Sequence, residues 1–257
     1  MHIKGNEAYI SYYTKGIRVL NVANPSSMTE VAYYDSPPVT GYVYPVYNGP
    51  FGVYPYFAGG TIVATAPDGF YVLRKATEVS GTISSNTTWS GGIFVTNSVT
   101  VNSPATLTIQ PGTTVAFANG KSLTVNSGAR IIADGTSTQT IKFTANTHPP
   151  TRSKWGGVNV YSTGNVFDNC TLEYGGQTLK FVNAGATVTA CTLHTCYQPI
   201  RSERSNVFIT NCDVSNSFAG ITLVGQNGNS ATAYLTNCHL WKNDRDGITA
   251  TTYAHAV

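Results

Sequence analysis

The chain has 257 residues, enough for one large or two ordinary domains, and carries a net charge of +3 with only 11% charged residues, against roughly 25% in an average soluble domain. Thr, Asn, Ser, Gly and Val fill the gap, a composition that suits strands and turns better than helices. The scattered basic residues leave no footprint for nucleic acid, and no apolar run reaches the roughly 18 residues of a membrane span.

Met1-His-Ile-Lys lacks the apolar core of a signal peptide. Eleven of the sixteen tyrosines then precede residue 76, whereas all three tryptophans and all five cysteines follow it. This break, with the polar stretch KATEVSGTISSNTT, divides the chain into segments 1–76 and 77–257. The first segment reads as strands EAYISYYT, IRVLNVA and TEVAYYD with short turns. A long Pro- and Gly-rich connection over 36–60 follows, then TIVATA and FYVLR as a hairpin across PDG. Meanders of this kind build propeller blades.

The stretches NEAYISYYTKGIRVLNVANPSSMTEVAYYD and YNGPFGVYPYFAGGTIVATAPDGFYVLR resemble the last repeats of the LVIVD-repeat, choice-of-anchor B family of bacterial surface proteins. That resemblance covers residues 1–74 and implies a β-propeller fragment. Only about one and a half blades are present, where a closed propeller needs roughly 4–8, so the chain is expected to be part of a longer secreted protein.

After residue 80 the apolar residues alternate: Val99 and Val101, Leu107 and Ile109, Val115 and Phe117, Leu123 and Val125, Ile141 and Phe143. Turn residues separate these runs. Cys170, Cys191 and Cys212 then follow at intervals of 21, and Cys238 after 26. Two places on from each Cys stand Leu172, Leu193, Val214 and Leu240; further on come Ile200, Ile221 and Ile248. Self-similarity at this period marks a solenoid, and three short strands with three turns use up that length. The expected fold is all-β: a right-handed parallel β-helix over 77–257, preceded by a partial propeller-like meander. VGQNGNSATAY before Cys238 reads as a lengthened turn. RSERS at 201–205 reads as a solvated turn.

The stretch TLTIQPGTTVAFANGKSLTV…GARIIADGT, with WGGV at 155–158 and NCTLEYGG, is similar to the right-handed β-helix family of pectin-lyase-like fold. The resemblance covers about 80–257. It is specific for fold and says little of function, because such coils carry many activities or none. TTYAHAV brings no polar capping element, so truncation is expected at this end as well.

Stacked cysteines point the same way at a rung spacing of about 4.8 Å, too far apart for the roughly 3.5–4.5 Å between disulfide Cβ atoms. They read as buried filler, with Cys196 off the ladder and partly exposed. No zinc spacing and no cofactor motif is visible. Hydrolases and lyases share this fold, which draws attention to Asp244 and Asp246 in NDRDGI as an alternative catalytic pair. The aligned SNSFAGI and TCYQPI bring no further acid beside them, and the pair reads as a structural turn. Alternation instead turns Glu173, His194, Asp213, His239 and Trp241 outward beside the Cys ladder. Such a wall could hold a sugar or a metal; a solvated strand face would look the same.

The expected role is a non-catalytic structural or carbohydrate-binding module of a secreted bacterial surface protein, with a polysaccharide or cell-surface glycan as partner, as a monomer or an edge-associated oligomer. The alternative is a glycoside hydrolase or polysaccharide lyase of the pectin-lyase-like class.

Overall fold

The computed structural model describes residues 1–34, 49–67, 69–146, 150–226, 228–251 and 253–257. The chain divides into two compact units, Met1–Lys75 and Ala76–Val257.

In the first unit, strands His2–Lys4, Glu7–Ser11, Ile17–Asn21 and Thr29–Tyr34 form an antiparallel meander. Gly52–Tyr54, Thr61–Ala66 and Gly69–Arg74 form a second, three-stranded antiparallel sheet. Alternation buries one face of each: Tyr9, Ile17, Val19, Val53, Ile62 and Ala64 make one small core. His2–Lys4 and Gly52–Tyr54 were not legible as strands, being only three residues long. Much of the expected 36–60 connection, including Tyr42, Tyr44 and Tyr47, lies outside the described residues, as does Asp68 of the PDG turn.

The second unit is a parallel β-solenoid of the right-handed type with about eight turns. Each coil supplies a strand to a first, a second and a third face. Coil one runs through Thr77–Ile83 and Thr87–Trp89, and coil two through Gly92–Val101 and Thr106–Ile109; in both, one long strand serves the first two faces. Coil three is Thr114–Phe117, Ser122–Val125 and Arg130–Asp134. Coil four is Ile141–Ala145, Gly157–Val160 and Asn165–Asp168. Coil five is Cys170–Glu173, Gln177–Val182 and Gly185–Thr189. Coil six is Thr192–His194, Gln198–Glu203 and Asn206–Thr210. Coil seven is Asp213–Ser215, Ile221–Val224 and Ala231–Thr236. Coil eight is His239–Trp241, Ile248–Ala250 and Ala254–Ala256.

Because the strands hydrogen-bond to the coil above or below in register, each inward position becomes a column. Val115, Phe143, Leu172, Leu193, Val214 and Leu240 stack in register on the first face, and all but Leu240 are wholly buried. Leu179, Ile200, Ile221 and Ile248 stack on the second. Trp155 fills coil four, stacked on Phe117 with ring centroids 4.3 Å apart, and its indole N–H donates to the Glu173 carbonyl at 2.8 Å. The next-but-one residue, Gly157, has φ +111, and a Cβ there would collide with the Gln177 carbonyl oxygen of the adjacent coil. The WGGV motif is thus one large plug and one obligatory gap.

The corners are as regular as the faces. Between the third and first faces the chain turns through one left-handed residue: Asn169, Ala190, Asn211 and Asn237, with φ of 47, 49, 54 and 50. Between the first and second faces the left-handed residues are Tyr174, Thr195, Asn216 and Lys242. Asn tolerates this conformation, and most other side chains do so poorly.

The thiols of Cys170, Cys191, Cys212 and Cys238 sit just inside the first corner and are free. Each thiol faces two carbonyl oxygens, one two residues back and one on the preceding coil, as Cys191 does Thr189 at 3.1 Å and Phe167 at 3.4 Å. One S–H must be shared between two acceptors, which favours the protonated form. The Cys170 neighbour and burial raise the Cys191 pKa, and Cys191 in turn raises that of Cys212. Cys238 is half-buried at coil eight.

Three expectations are corrected. Cys196 is fully buried, not partly exposed; it faces the Leu172 and His194 carbonyls, and burial pushes its thiol up to about 11. RSERS is not a solvated turn: Arg201–Glu203 end a strand, and Ser202 and Ser205 are buried with hydroxyls bonded to backbone carbonyls. The charges mislead because alternation sends Arg201 and Glu203 out while Ser202 goes in. VGQNGNSATAY is a turn only over its first half, part of which (Asn227) lies outside the described residues; Ala231–Thr236 is a third-face strand.

Candidate functional site

The five wall residues lie on the first face, in two adjacent outward columns. Thr144, Glu173, His194, Ser215 and Trp241 form one; Lys142, Thr171, Thr192, Asp213 and His239 form the other. The side chains gather into two clusters with the buried Ser215 between them.

The first cluster centres on Glu173, whose side chain is 9% exposed. Its carboxylate meets the Lys142 ammonium at 2.7 Å, accepts from the Thr144 hydroxyl at 2.7 Å and faces His194 Nε2 at 3.3 Å. A carboxylate this buried needs such partners. His194 Nδ1 lies 3.1 Å from the Thr195 hydroxyl, and the Tyr174 ring meets the imidazole edge-on at 6.5 Å.

In the second cluster, Asp213 accepts from the Trp241 indole N–H at 2.7 Å and lies 3.4 Å from His239 Nδ1. The His239 and Trp241 rings are stacked at 5.6 Å, and the Lys242 ammonium sits over Trp241 at 4.8 Å from its centroid. His239 is the open member, with 72% of its side chain exposed. The indole is therefore already engaged by its neighbours. A sugar ring would pack on His239 and the rim of Trp241, or displace Lys242.

Asp244 and Asp246 have separate partners. Arg152, from the insertion between the first and second faces of coil four, bridges to the Asp244 carboxylate and donates to the Asn216 carbonyl at 2.6 Å. The guanidinium holds Asp244 below the usual carboxylate range, the opposite of what a general acid needs. Asp246 receives the Thr249 hydroxyl at 3.5 Å, while its backbone carbonyl accepts from Gly220. Neighbouring Asn243 plugs the corner, donating to the Val214 carbonyl and accepting from the Ser217 N–H.

Sequence reasoning missed several partners. Lys142 and Thr144 belong to coil four, where Ile141 stands in the Cys position. The insertion after Ala145 breaks the 21-residue period and hides the correspondence; laying IKFTA over CTLE would have revealed it. On the second face, Glu203 joins Arg201 at 2.6 Å and Lys180 at 3.3 Å. Burial raises the Glu203 pKa, the two cations outweigh it, and the net shift is downward. Arg204 ties the adjacent corner, bonding Asn183 and Gln226 at 2.9 Å each. Among the described residues no group of three or more His, Cys, Asp or Glu side chains is arranged to hold a metal ion.

No curated protein and no solved structure matches the chain. Residues 81–187, from the end of coil one through most of coil five, are similar to a pectate-lyase-like β-helix domain, whose family model they match.

Proposed function

We propose that the solenoid is a non-catalytic binding module that presents its first face to a polysaccharide or cell-surface glycan. The likeness of residues 81–187 to a pectate-lyase-like β-helix domain supports a polysaccharide-related role. The observation that carries the binding reading is the Asp213–Trp241–His239 cluster: a carboxylate fixed by an indole N–H beside a largely exposed imidazole. It offers hydrogen bonds and an aromatic surface together. The salt-bridged carboxylates Glu173, Glu203 and Asp244 favour binding over turnover, since each already has a cation beside it. Residues 1–76 fit this reading as partial LVIVD-repeat blades of a secreted bacterial surface protein.

The test is retention of the full chain on neutral and weakly acidic polysaccharides, with product analysis of the same mixtures. Retention without cleavage, lost in Trp241→Ala, is the expected result. The family likeness also favours a second reading, a polysaccharide hydrolase or lyase. New reducing ends or unsaturated sugars would establish it and overturn the first.

A further inference from the structure

The third face of coils five to seven carries a surface that the first-face site leaves unused. Thr187, Phe208 and Tyr234 form its middle column, in register from coil to coil. Thr189, Thr210 and Thr236 form one flank, and Gly185, Asn206 and Thr232 the other. None of these residues is charged. On coils three and four the corresponding outward places bring Arg130, Asp134 and Asp168, so the uncharged field has an edge. The first face, by contrast, carries Lys142, Glu173 and Asp213.

Alternation sends Phe208 and Tyr234 out, because Val207, Ile209 and Ala233 take the inward places. The two rings lie parallel with centroids 4.8 Å apart, and they are 51% and 39% exposed. Among the described residues, no other group of the chain bonds the hydroxyls of Thr187, Thr189, Thr210, Thr232, Thr236 or Tyr234. Each of these hydroxyls is free to donate and to accept. Sugar rings match both features, with C–H faces for the aromatic carbons and hydroxyls for the threonines. A uronate would lose hydration at its carboxylate with no cation on the field to meet it. Arg204, at the corner before Asn206, is tied to Asn183 and Gln226. At about 4.8 Å per rung and about 3.3 Å per strand residue, the field measures roughly 14 by 14 Å. That is a fraction of the roughly 800 Å² per partner of a stable protein interface, and it suits a stretch of a few sugar rings.

We propose that the third face of coils five to seven is a second contact surface, for a neutral, extended polysaccharide chain. Phe208 and Tyr234 are its aromatic floor, and the flanking threonines are its hydrogen-bond partners. This inference extends the glycan-binding reading to a surface that does not depend on the first face. Each surface alone holds a chain weakly. A polymer matrix engages both at once, and the joint hold exceeds either by on the order of 100-fold. Polymer retention therefore fails when either face is damaged, whereas a short oligosaccharide reports on one face at a time.

The experiment titrates the full chain with cellohexaose, mannohexaose and hexagalacturonate and follows backbone amide resonances by NMR. Shifts at Phe208, Thr210, Tyr234 and Thr236 are expected with at least one neutral hexaose and not with hexagalacturonate. Phe208→Thr and Tyr234→Thr each install the residue that coil five already carries in that column. Both should keep the wild-type melting temperature and weaken the binding about 10-fold, the scale of a lost aromatic contact. Thr210→Glu should abolish it. Trp241→Ala should leave these shifts unchanged, so either face can fail while the other stands. The proposal is overturned if neither neutral hexaose moves these resonances, if hexagalacturonate moves them equally, or if Phe208→Thr binds as the wild type does. It is overturned as well if the sugar-free chain is a dimer that Phe208→Thr separates, since the field would then be an interface between copies.

Discussion

Coils six and seven follow one backbone path with two different sets of corner residues. Their inward rungs match: Leu193 above Val214, Ile200 above Ile221, Val207 above Ala233. Their left-handed corners do not. Coil seven is entered through Asn211 and turned at Asn216, whereas coil six uses Ala190 and Thr195 at the same places and Arg204 at its third corner. The backbone demand is set by the fold, because neighbouring coils must stay in register. The residue meeting that demand is free to vary at a cost of roughly 1 kcal/mol or more per mismatched corner. Rungs therefore specify the solenoid, and corners are where stability can be given up for another purpose.

The largest effect should come from breaking the shared rungs. Leu193→Ala and Val214→Ala each truncate a side chain with no exposed surface. Each should lower the unfolding free energy by about 2–4 kcal/mol in urea titrations. Equal stability of either variant and wild type would remove the claim that rungs dominate.

A smaller effect of opposite sign should sharpen the comparison. Ala190→Asn gives coil six the corner residue of its neighbours and places an amide in line with Asn211, which already accepts from Asn237 at 2.7 Å. An increase of about 0.5–1 kcal/mol is expected, with a raised melting temperature. A decrease would mean that the corner is not strained by Ala.

The smallest effect concerns the outward second face of coil six, which has no counterpart in coil seven. The Glu203 pKa is lowered from 4.5 in the folded protein. A depressed carboxylate contributes stability that is fully present above its unfolded value. That contribution shrinks as the pH falls below 4.5 and is gone once the folded group is protonated. Arg201→Ala should flatten this acid limb of a stability-against-pH curve by lowering the neutral plateau slightly, with the stability at strongly acid pH nearly unmoved. An unchanged limb would show that Arg201 does not hold Glu203 in the ionised form.

The same contrast explains what could be read in advance. Rungs write themselves into sequence as alternation and as the 21-residue interval of the cysteines, so Val99 through Phe143 and Leu172 through Leu240 were assignable to the interior. Corners leave only a weak mark, since Asn, Ala, Thr, Tyr, Arg and Lys all occupy the left-handed positions. Contacts between coils of unequal length leave none. Lys142 and Thr144 reach Glu173 across an insertion, and Arg152 reaches Asp244 from a coil far back in the chain. RSERS was misjudged because charge was weighed before alternation. The hydroxyl on His194 was overlooked because a single left-handed residue redirects the chain immediately after the strand, which a period-two reading cannot anticipate.

The equal spacing of Cys170, Cys191 and Cys212 has a consequence for how such a chain can change over evolutionary time. Residues 191–211 form a closed cassette. Excising them would join Ala190 to Cys212 and leave every column continuous, because Leu172 would then meet Val214 as it now meets Leu193. Copying them would add one rung of about 4.8 Å and leave the columns on either side intact. Length is thus an almost free variable for this architecture, and Phe208, which lies within the cassette, could be gained, lost or multiplied in a single recombination event.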